Sequence, residues 1–524
     1  MKFSSRTLRT FTTLHGWVGV VAGFALFVAF YAGAITVFQQ PLQRWASMHD
    51  AGALPTATIG DAQSLLDQVL ARHPAARTHV GMTFPGSDYA VMSAYWQDAD
   101  GTWQFATAGD ATGGPEEPGA ALPELVNELH YALGAPPWGT WLMGLVALLY
   151  GVALVSGVVI HLPTLVGHLF ALRPGHNLKR FWQDAHNVIG VFSLPFHMLF
   201  AITGAVLCLL LVAMLALNPL VFRGQLMTAS GAAMNTAPVR AASGHAEPLL
   251  PLSRLRQRAV EAAAEQGVTG FRPTYLKLAN AGDAHAVIEI TGISARGLGA
   301  GAVALDATDG RVLATQLPGR RDANHATLAA AYALHYGDYG NAVVPWLYFM
   351  LGVGGSFLFY SGNLLWIEKR RKRRQPAQGR APLAMARATV GVCIGLCVAV
   401  SASFVAAQLL PALGLDDRYT YGVCFVTWAA CLGWACRRPP IRAARHLLWL
   451  AAAMTAVVPL VHGVTTGWWP WHSLAAAQPD LAGVDLVALA MACGFAALAR
   501  SAARRARHGT ACSVWADPRQ SGTP

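Results

Sequence analysis

Charged side chains are scarce in this chain of 524 residues. Only 12% of its residues are Asp, Glu, Lys or Arg, while 54% are hydrophobic and the mean hydropathy is +0.38. A soluble protein usually carries about a quarter charged residues. The scarcity excludes an ordinary soluble enzyme and indicates an integral membrane protein. The net charge of +11 then orients the chain in a bilayer and implies no nucleic-acid partner.

Glycine-rich nucleotide motifs are also missing. No Gly-x-Gly-x-x-Gly follows a strand-like run and no phosphate-binding loop is present, so neither a bound nicotinamide nor ATP is indicated. The first four long apolar segments contain no acidic residue, which argues against a proton-coupled transporter.

Cysteine is sparse, and no cysteines have the spacing of a metal site in a soluble loop. Seven of the eight cysteines fall in or at the ends of apolar segments, with Cys512 the exception, and we interpret all eight as structural. There is no Cys-x-x-Cys-His, which excludes covalent attachment of haem.

Long apolar runs are what the chain does have, and they predict eight membrane-spanning helices. A cleavable signal is the alternative for the first, because Ala32-Gly33-Ala34 resembles a cleavage site. The length of that run favours a retained helix. The predicted spans are 15–38, 138–161, 186–215, 344–367, 386–410, 419–436, 446–466 and 481–500.

Basic clusters orient these helices. They follow spans two, four, six and eight, and they include Lys179, Arg180, residues 369–374, Arg437, Arg438, Arg504 and Arg505. Short, densely basic loops stay in the cytoplasm. We therefore expect both termini to be cytoplasmic and two long loops to be on the outer side.

The sequence pattern of each long outer loop predicts a helix followed by a small antiparallel sheet. The first loop has an amphipathic stretch from Asp61 to Arg72, and the second has one from Leu252 to Gln266. The run 302–313 predicts a strand, an Asp-Gly turn and a second strand. The expected fold is thus an α-helical integral membrane protein with two small α+β outer domains.

Histidines recur in register in the two halves of the chain. His15 and His186 each have glycines at +4 and +18, whereas His130 and His335 each have Trp at +11 and Gly at +27. Histidine is rare in lipid unless it has a partner. A duplicated helical bundle that retains imidazoles predicts axial ligands for haem iron, with His15 facing His186 near the inner surface and His130 facing His335 near the outer one.

His197 has no counterpart in the repeat, where Leu26 stands. It follows His186 by eleven residues, on nearly the same face of a straight helix and about 16 Å deeper. A histidine this deep is functional by default, so it competes with His130 or His335 for the outer iron. The alternatives are an interfacial role for His15 and His186 and a place in solvated loops for His130 and His335. For His197 the alternative is a hydrogen bond to a neighbouring helix. We interpret His462, in the seventh span, as a packing residue.

Two stretches of the sequence resemble PepSY-associated transmembrane proteins. Residues 306–313 look like the closing turn of a PepSY domain, and the family's helices resemble 14–19 and 186–197. The likeness covers residues 1–370. This family includes ferric-siderophore reductases of the bacterial inner membrane, and the resemblance implies two haems and reduction of iron chelates on the outer side.

The sequence therefore predicts a haem-b oxidoreductase that reduces a periplasmic ferric siderophore or another iron chelate. A quinol or a cytoplasmic reductase would supply the electrons. The alternatives are a siderophore or iron permease without redox activity and a binding protein that restrains a protease. The predicted divisions are 1–38, 39–129 (outer domain), 130–215, 216–334 (outer domain), 335–367, a basic linker 368–385, a four-helix module 386–500 and a cytoplasmic tail 501–524.

Overall fold

A computed structural model describes residues 4–49, 58–85, 91–115, 119–164, 178–226, 235–294, 297–372, 374–375, 377–509 and 511–517. Arg373, in the basic cluster after the fourth predicted span, lies outside these ranges. The chain forms two compact units. The membrane unit comprises residues 1–52, 120–210 and 347–524, and the sheet unit comprises 53–119 and 211–346.

Helices make up most of the described chain. In chain order they are α1 (Ser5–Thr36), α2 (Gln39–Ala46), α3 (Ile59–Arg72), α4 (Ala121–Ala132), α5 (Trp138–His161), α6 (Leu178–Phe192), α7 (Leu194–Leu220), α8 (Leu252–Glu265), α9 (Ala323–Tyr336), α10 (Val343–Lys369), α11 (Arg380–Thr389), α12 (Gly395–Ala412), α13 (Tyr419–Arg437), α14 (Pro440–Thr466), α15 (Pro470–Ala475) and α16 (Pro479–His508).

Six helices in the described ranges are single spans, long and apolar enough to cross a membrane. They are α1, α5, α10, the continuous α11–α12, α14 and α16, and the pair α6–α7 is a seventh candidate if it counts as one broken span. The multi-pass character predicted from composition is confirmed. Helix α13 coincides with the predicted span 419–436, but its Tyr, Thr and Trp residues make it less apolar. An eighth span stays a prediction.

The third predicted span is bent rather than straight. The axes of Lys179–Phe192 and Leu194–Leu210 differ by 70° at Ser193. Pro195 lacks an amide hydrogen and its ring crowds the preceding turn, which breaks the helix just before it. The expectation that His186 and His197 share one straight helix face is therefore wrong.

Helix α1 begins ten residues before the predicted span. The hydroxyl of Ser4 accepts a hydrogen bond from the amide of Thr7 and caps the helix. Helix α6 likewise begins eight residues before His186. As a result, His15 and His186 lie inside their helices and not at the first turn.

The sheet unit is built on one antiparallel sheet of eight strands, not on two separate sheets. Its order is β4-β3-β2-β1-β5-β6-β7-β8, and the central β1–β5 pair joins the strands of the two long loops. Each half alone would leave β1 or β5 as an unpaired edge. The strands are β1 (His79–Thr83), β2 (Ser93–Gln97), β3 (Trp103–Thr107), β4 (Asp110–Gly114), β5 (Arg272–Ala279), β6 (Val287–Ile293), β7 (Gly301–Asp306) and β8 (Val312–Gln316).

Helices α3 and α8 confirm the amphipathic stretches read from the sequence. Their apolar faces, with Leu65, Leu66 and Leu255, share one buried core with Val80, Leu276 and other strand residues.

The predicted hairpin after β7 is also confirmed. Although burial acts to raise the pKa of Asp306, hydrogen bonds from the Thr308 hydroxyl and the Arg240 guanidinium hold this pKa below its usual value.

Candidate functional site

His15 and His186 come together inside the membrane unit. Their ring centroids are 6.2 Å apart and the ring planes are nearly perpendicular, at 82°. Helix α1 carries one ring and helix α6 carries the other. The predicted juxtaposition of the two histidines is therefore present in the fold.

Each of these rings is held by the same groups of a neighbouring helix. His15 Nδ1 lies 2.9 Å from the carbonyl oxygen of Ala153 and 3.3 Å from the Ser156 hydroxyl, both on α5. His186 Nδ1 lies 3.1 Å from the carbonyl oxygen of Leu358 and 3.2 Å from the Ser361 hydroxyl, both on α10.

A carbonyl oxygen can only accept a hydrogen bond, so Nδ1 carries the proton in both rings. The lone pair of each neutral imidazole is then on Nε2, the tautomer of a metal-ligating histidine. Glycines give the rings room, because a Cβ at Gly157 would lie 3.2 Å from His15 Cε1 and one at Gly362 would lie 3.4 Å from His186 Cε1.

His197 lies fully buried among aromatic rings. The hydroxyl of Tyr150 is hydrogen-bonded to its Nδ1, and its ring centroid is 5.5 Å from that of Phe30. Its Nε2 is buried with no hydrogen-bond partner among the described residues. Burying a nitrogen without a hydrogen-bond partner is costly, and binding of a further group at Nε2 would remove this cost.

His130 lies on α4 and not in a solvated loop. Its Nδ1 donates to the carbonyl oxygen of Ala29, at 2.8 Å, which again leaves the lone pair on Nε2. A Cβ at Gly33 would lie only 2.6 Å from this Nδ1, so Gly33 is required for the contact. His130 and His197 thus border the same turn of α1, at Ala29 and Phe30.

His335 lies on α9 in the sheet unit, with its ring 5.7 Å from that of Tyr336. Its pairing with His130 would join the two units and stays a prediction. The choice among His130, His197 and His335 for the outer iron therefore stays open.

The available side chains suit a metal ion that a cofactor already coordinates and that needs few protein ligands. Within the described ranges no group of three or more His, Cys, Asp or Glu residues could hold a bare metal ion. Histidines occur instead as a facing pair and as a buried ring with an unpaired nitrogen. Haem iron has four porphyrin nitrogens and needs only axial ligands, so these residues fit haem.

Several residues around the site were missed from the sequence. Ser156 and Ser361 stand one residue before Gly157 and Gly362, the glycines of the repeat, so the repeat itself could have revealed them. Tyr150 offered no comparable signal. It belongs to a buried cluster of α1, α5 and α7 side chains that only the packing brings together.

Comparison with known proteins supports the family resemblance. A family model described as the PepSY-associated TM region matches residues 12–369. An uncharacterised protein of Pseudomonas aeruginosa, PA4219, is 28% identical over 302 residues, which cover 53% of this chain and 74% of that protein.

Proposed function

Because the chain belongs to the PepSY-associated transmembrane family, we propose that it is a haem-b oxidoreductase of the bacterial inner membrane. It passes electrons across the bilayer and reduces a periplasmic ferric siderophore, releasing Fe(II). Both termini are cytoplasmic in this proposal, and the sheet unit is periplasmic.

The spacing of His15 and His186 carries this proposal. A bond between a metal ion and an imidazole nitrogen is about 2 Å long, and the ring centre lies roughly another ångström beyond the nitrogen. If the rings of His15 and His186 both bound one metal ion, their centres would therefore be about 6 Å apart. The observed separation is 6.2 Å.

The protein's own residues orient and shield the site. The carbonyls of Ala153 and Leu358 fix the tautomer of the facing rings, and the hydroxyls of Ser156 and Ser361 restrict their rotation. Two of His130, His197 and His335 would hold a second group nearer the outer surface. Bound haem supplies one-electron exchange between Fe(III) and Fe(II).

The substrate is a chelate whose iron gains one electron. Hard oxygen ligands favour the higher charge of Fe(III), so reduction loosens the complex and releases Fe(II). The sheet unit would provide the surface on which the chelate docks. The electron donor is a separate molecule, either a quinol or a cytoplasmic reductase.

The proposal is tested by the difference between the optical spectra of the dithionite-reduced and the oxidised protein, purified in detergent. A pyridine haemochrome determination gives the haem content. We expect a sharp b-type α-band and about two haems per chain. Well-folded protein with a flat spectrum would overturn the proposal.

A permease that moves the siderophore or iron without redox chemistry is the alternative. It is favoured by the buried acidic residue Asp485 on α16, since proton-coupled transporters use intramembrane carboxylates. Uptake of labelled siderophore into proteoliposomes in the absence of any reductant would support the permease.

A further inference from the structure

A buried polar cluster links the C-terminal helices to α2. His462 of α14 and Asp485 of α16 are both fully buried, and His462 Nδ1 lies 2.8 Å from Asp485 Oδ2. The other carboxylate oxygen accepts a hydrogen bond from Trp45 Nε1 at 3.1 Å. This cluster of Trp45, His462 and Asp485 is here called the outer dyad site, and the packing role expected for His462 stays a prediction.

Trp45 covers the imidazole and is itself held in place. Its ring centroid is 4.9 Å from that of His462, and its carbonyl oxygen accepts a hydrogen bond from Gln408 Nε2 at 2.9 Å. Four helices, α2, α12, α14 and α16, therefore contribute to the outer dyad site.

The Asp485 carboxylate is not neutralised by a basic side chain among the described residues. Asp485 has no Lys or Arg partner in the part of the chain that the structure describes, and its donors are the neutral indole and His462. With a neutral imidazole the site holds one buried negative charge, which is costly in a membrane. A proton on Nε2 would convert the pair into a neutral imidazolium–carboxylate pair.

His462 Nε2 is the atom of the outer dyad site that a ligand would bind. It is buried and has no hydrogen-bond partner within the described ranges. When unprotonated it needs a donor, and when protonated it needs an acceptor. A ligand that exchanges a hydroxyl for a carbonyl as the site gains its proton would satisfy both states.

Tryptophans place this end of the module at a membrane surface. A Cβ at Gly463 would lie 2.5 Å from the Trp469 ring, so Trp469 packs against Gly463, the residue that follows His462. Trp469 stacks on Trp471 with centroids 5.2 Å apart, and Trp471 is 61% exposed. Exposed tryptophans of this kind mark the boundary between lipid headgroups and acyl chains.

We propose that the outer dyad site binds a membrane quinol and accepts a proton from it. A quinol is soluble in lipid, presents a hydroxyl when reduced and presents a carbonyl when oxidised. The inference rests on the proposed redox function and names its electron donor, with the electrons entering at the outer side instead of crossing the whole bilayer. His462 and Asp485 lie beyond residue 369, where the family match ends, whereas Trp45 lies within the matched region.

The quinol loses two electrons and two protons and becomes a quinone. One O–H bond breaks and its proton goes to His462 Nε2, while the second proton goes to water at the adjacent surface. The electrons leave singly, to one-electron acceptors of the haem class. Helix α2, which carries Trp45, packs on α4, the helix of His130.

Quinone binding is measured on the full-length protein in lipid nanodiscs, by saturable quenching of tryptophan fluorescence with decylubiquinone. His462→Gln should weaken the affinity about tenfold or more, the scale of one hydrogen bond to an ionisable group. His446→Gln is the matched control, because His446 lies exposed near the opposite end of the same helix. Trp45→Phe retains the dyad and should weaken binding less.

A second readout is the rate at which decylubiquinol reduces the haem. It should fall by the same factor in His462→Gln and Asp485→Asn, while reduction by dithionite is unchanged. Equal affinity for decylubiquinone in wild type and His462→Gln, or quenching that never saturates, would overturn the inference. The binding measurement needs no haem, so it separates failure of this inference from failure of the proposed function.

Discussion

His15 and His186 have ring centroids 6.2 Å apart although they belong to different halves of the chain. Each ring bonds to a backbone carbonyl and a serine hydroxyl of a neighbouring helix, at matching positions of the two repeats. This matched support holds the two imidazoles in equivalent positions of the two repeats.

Removing either imidazole should remove one haem. His15→Ala or His186→Ala should lower the haem content from about two per chain to about one, because one axial ligand cannot hold the iron as two do. Haemochrome determination on folded protein measures this content. His446→Ala, at an exposed position, is the control and should leave it unchanged. Unaltered haem in both variants would contradict the assignment.

Removing either serine hydroxyl should weaken haem binding by a similar amount, and by less than removing a histidine does. Ser156→Ala and Ser361→Ala leave the carbonyl partners in place but remove a supporting group, and such changes typically weaken metal binding about 10–100-fold. We expect haem to transfer faster to excess apomyoglobin in both variants. A large effect in one variant and none in the other would argue against the symmetrical site.

Two glycines of the same helix should differ sharply. A Cβ at Gly33 would lie 2.6 Å from His130 Nδ1, whereas one at Gly19 would meet nothing within 4 Å. Gly33→Ala should destabilise the protein by about 1–3 kcal/mol through overpacking. Gly19→Ala should leave stability unchanged or raise it. Thermal unfolding of the two variants compares them, and equal midpoints would refute the close contact.

The seam of the eight-stranded sheet depends on Gly81. A Cβ there would lie 2.5 Å from both Tyr95 and Tyr275, whose hydroxyls are hydrogen-bonded to each other. Gly81→Ala should cost about 1–3 kcal/mol. Hydrogen exchange should speed up in β1 and β5 of that variant. Gly109→Ala, where a Cβ meets nothing within 4 Å, is the control and should exchange as wild type does.

Acid should weaken the hairpin after β7. The pKa of Asp306 is lowered in the fold, where hydrogen bonds from Thr308 and Arg240 outweigh the effect of burial. The stabilisation is complete above the ordinary pKa of about 3.9 and is lost as the pH falls through the lower folded value. Hydrogen-exchange protection of β7 and β8 should therefore drop in acid, and less so in Asp306→Asn.

Much of the architecture was readable from local patterns. Apolar length determined the spans, so the predicted limits of α5 match the observed ones and those of α10 differ by one or two residues. Amphipathic spacing predicted α3 and α8, because each needs only one apolar face. The register of the histidine repeat predicted that His15 meets His186, since duplicated helices pack in equivalent ways.

Other features depended on contacts between distant segments. Nothing local in β1 or β5 shows that two half-sheets join, because strand edges pair with whichever edge the fold brings near. The 70° bend at Ser193 was not predicted from the sequence, where residues 186–215 were expected to form one span. His462 and Asp485 belong to different helices, and Trp45 comes from the other end of the chain.

The sequence by itself determined the membrane class, the approximate spans and the pairing of His15 with His186, because hydropathy and repeat register are properties of short segments. Only the tertiary structure decided the single sheet, the partners of each imidazole and the buried dyad of His462 and Asp485. Hydrogen bonds between side chains far apart in sequence depend on three-dimensional packing, which a linear pattern does not contain.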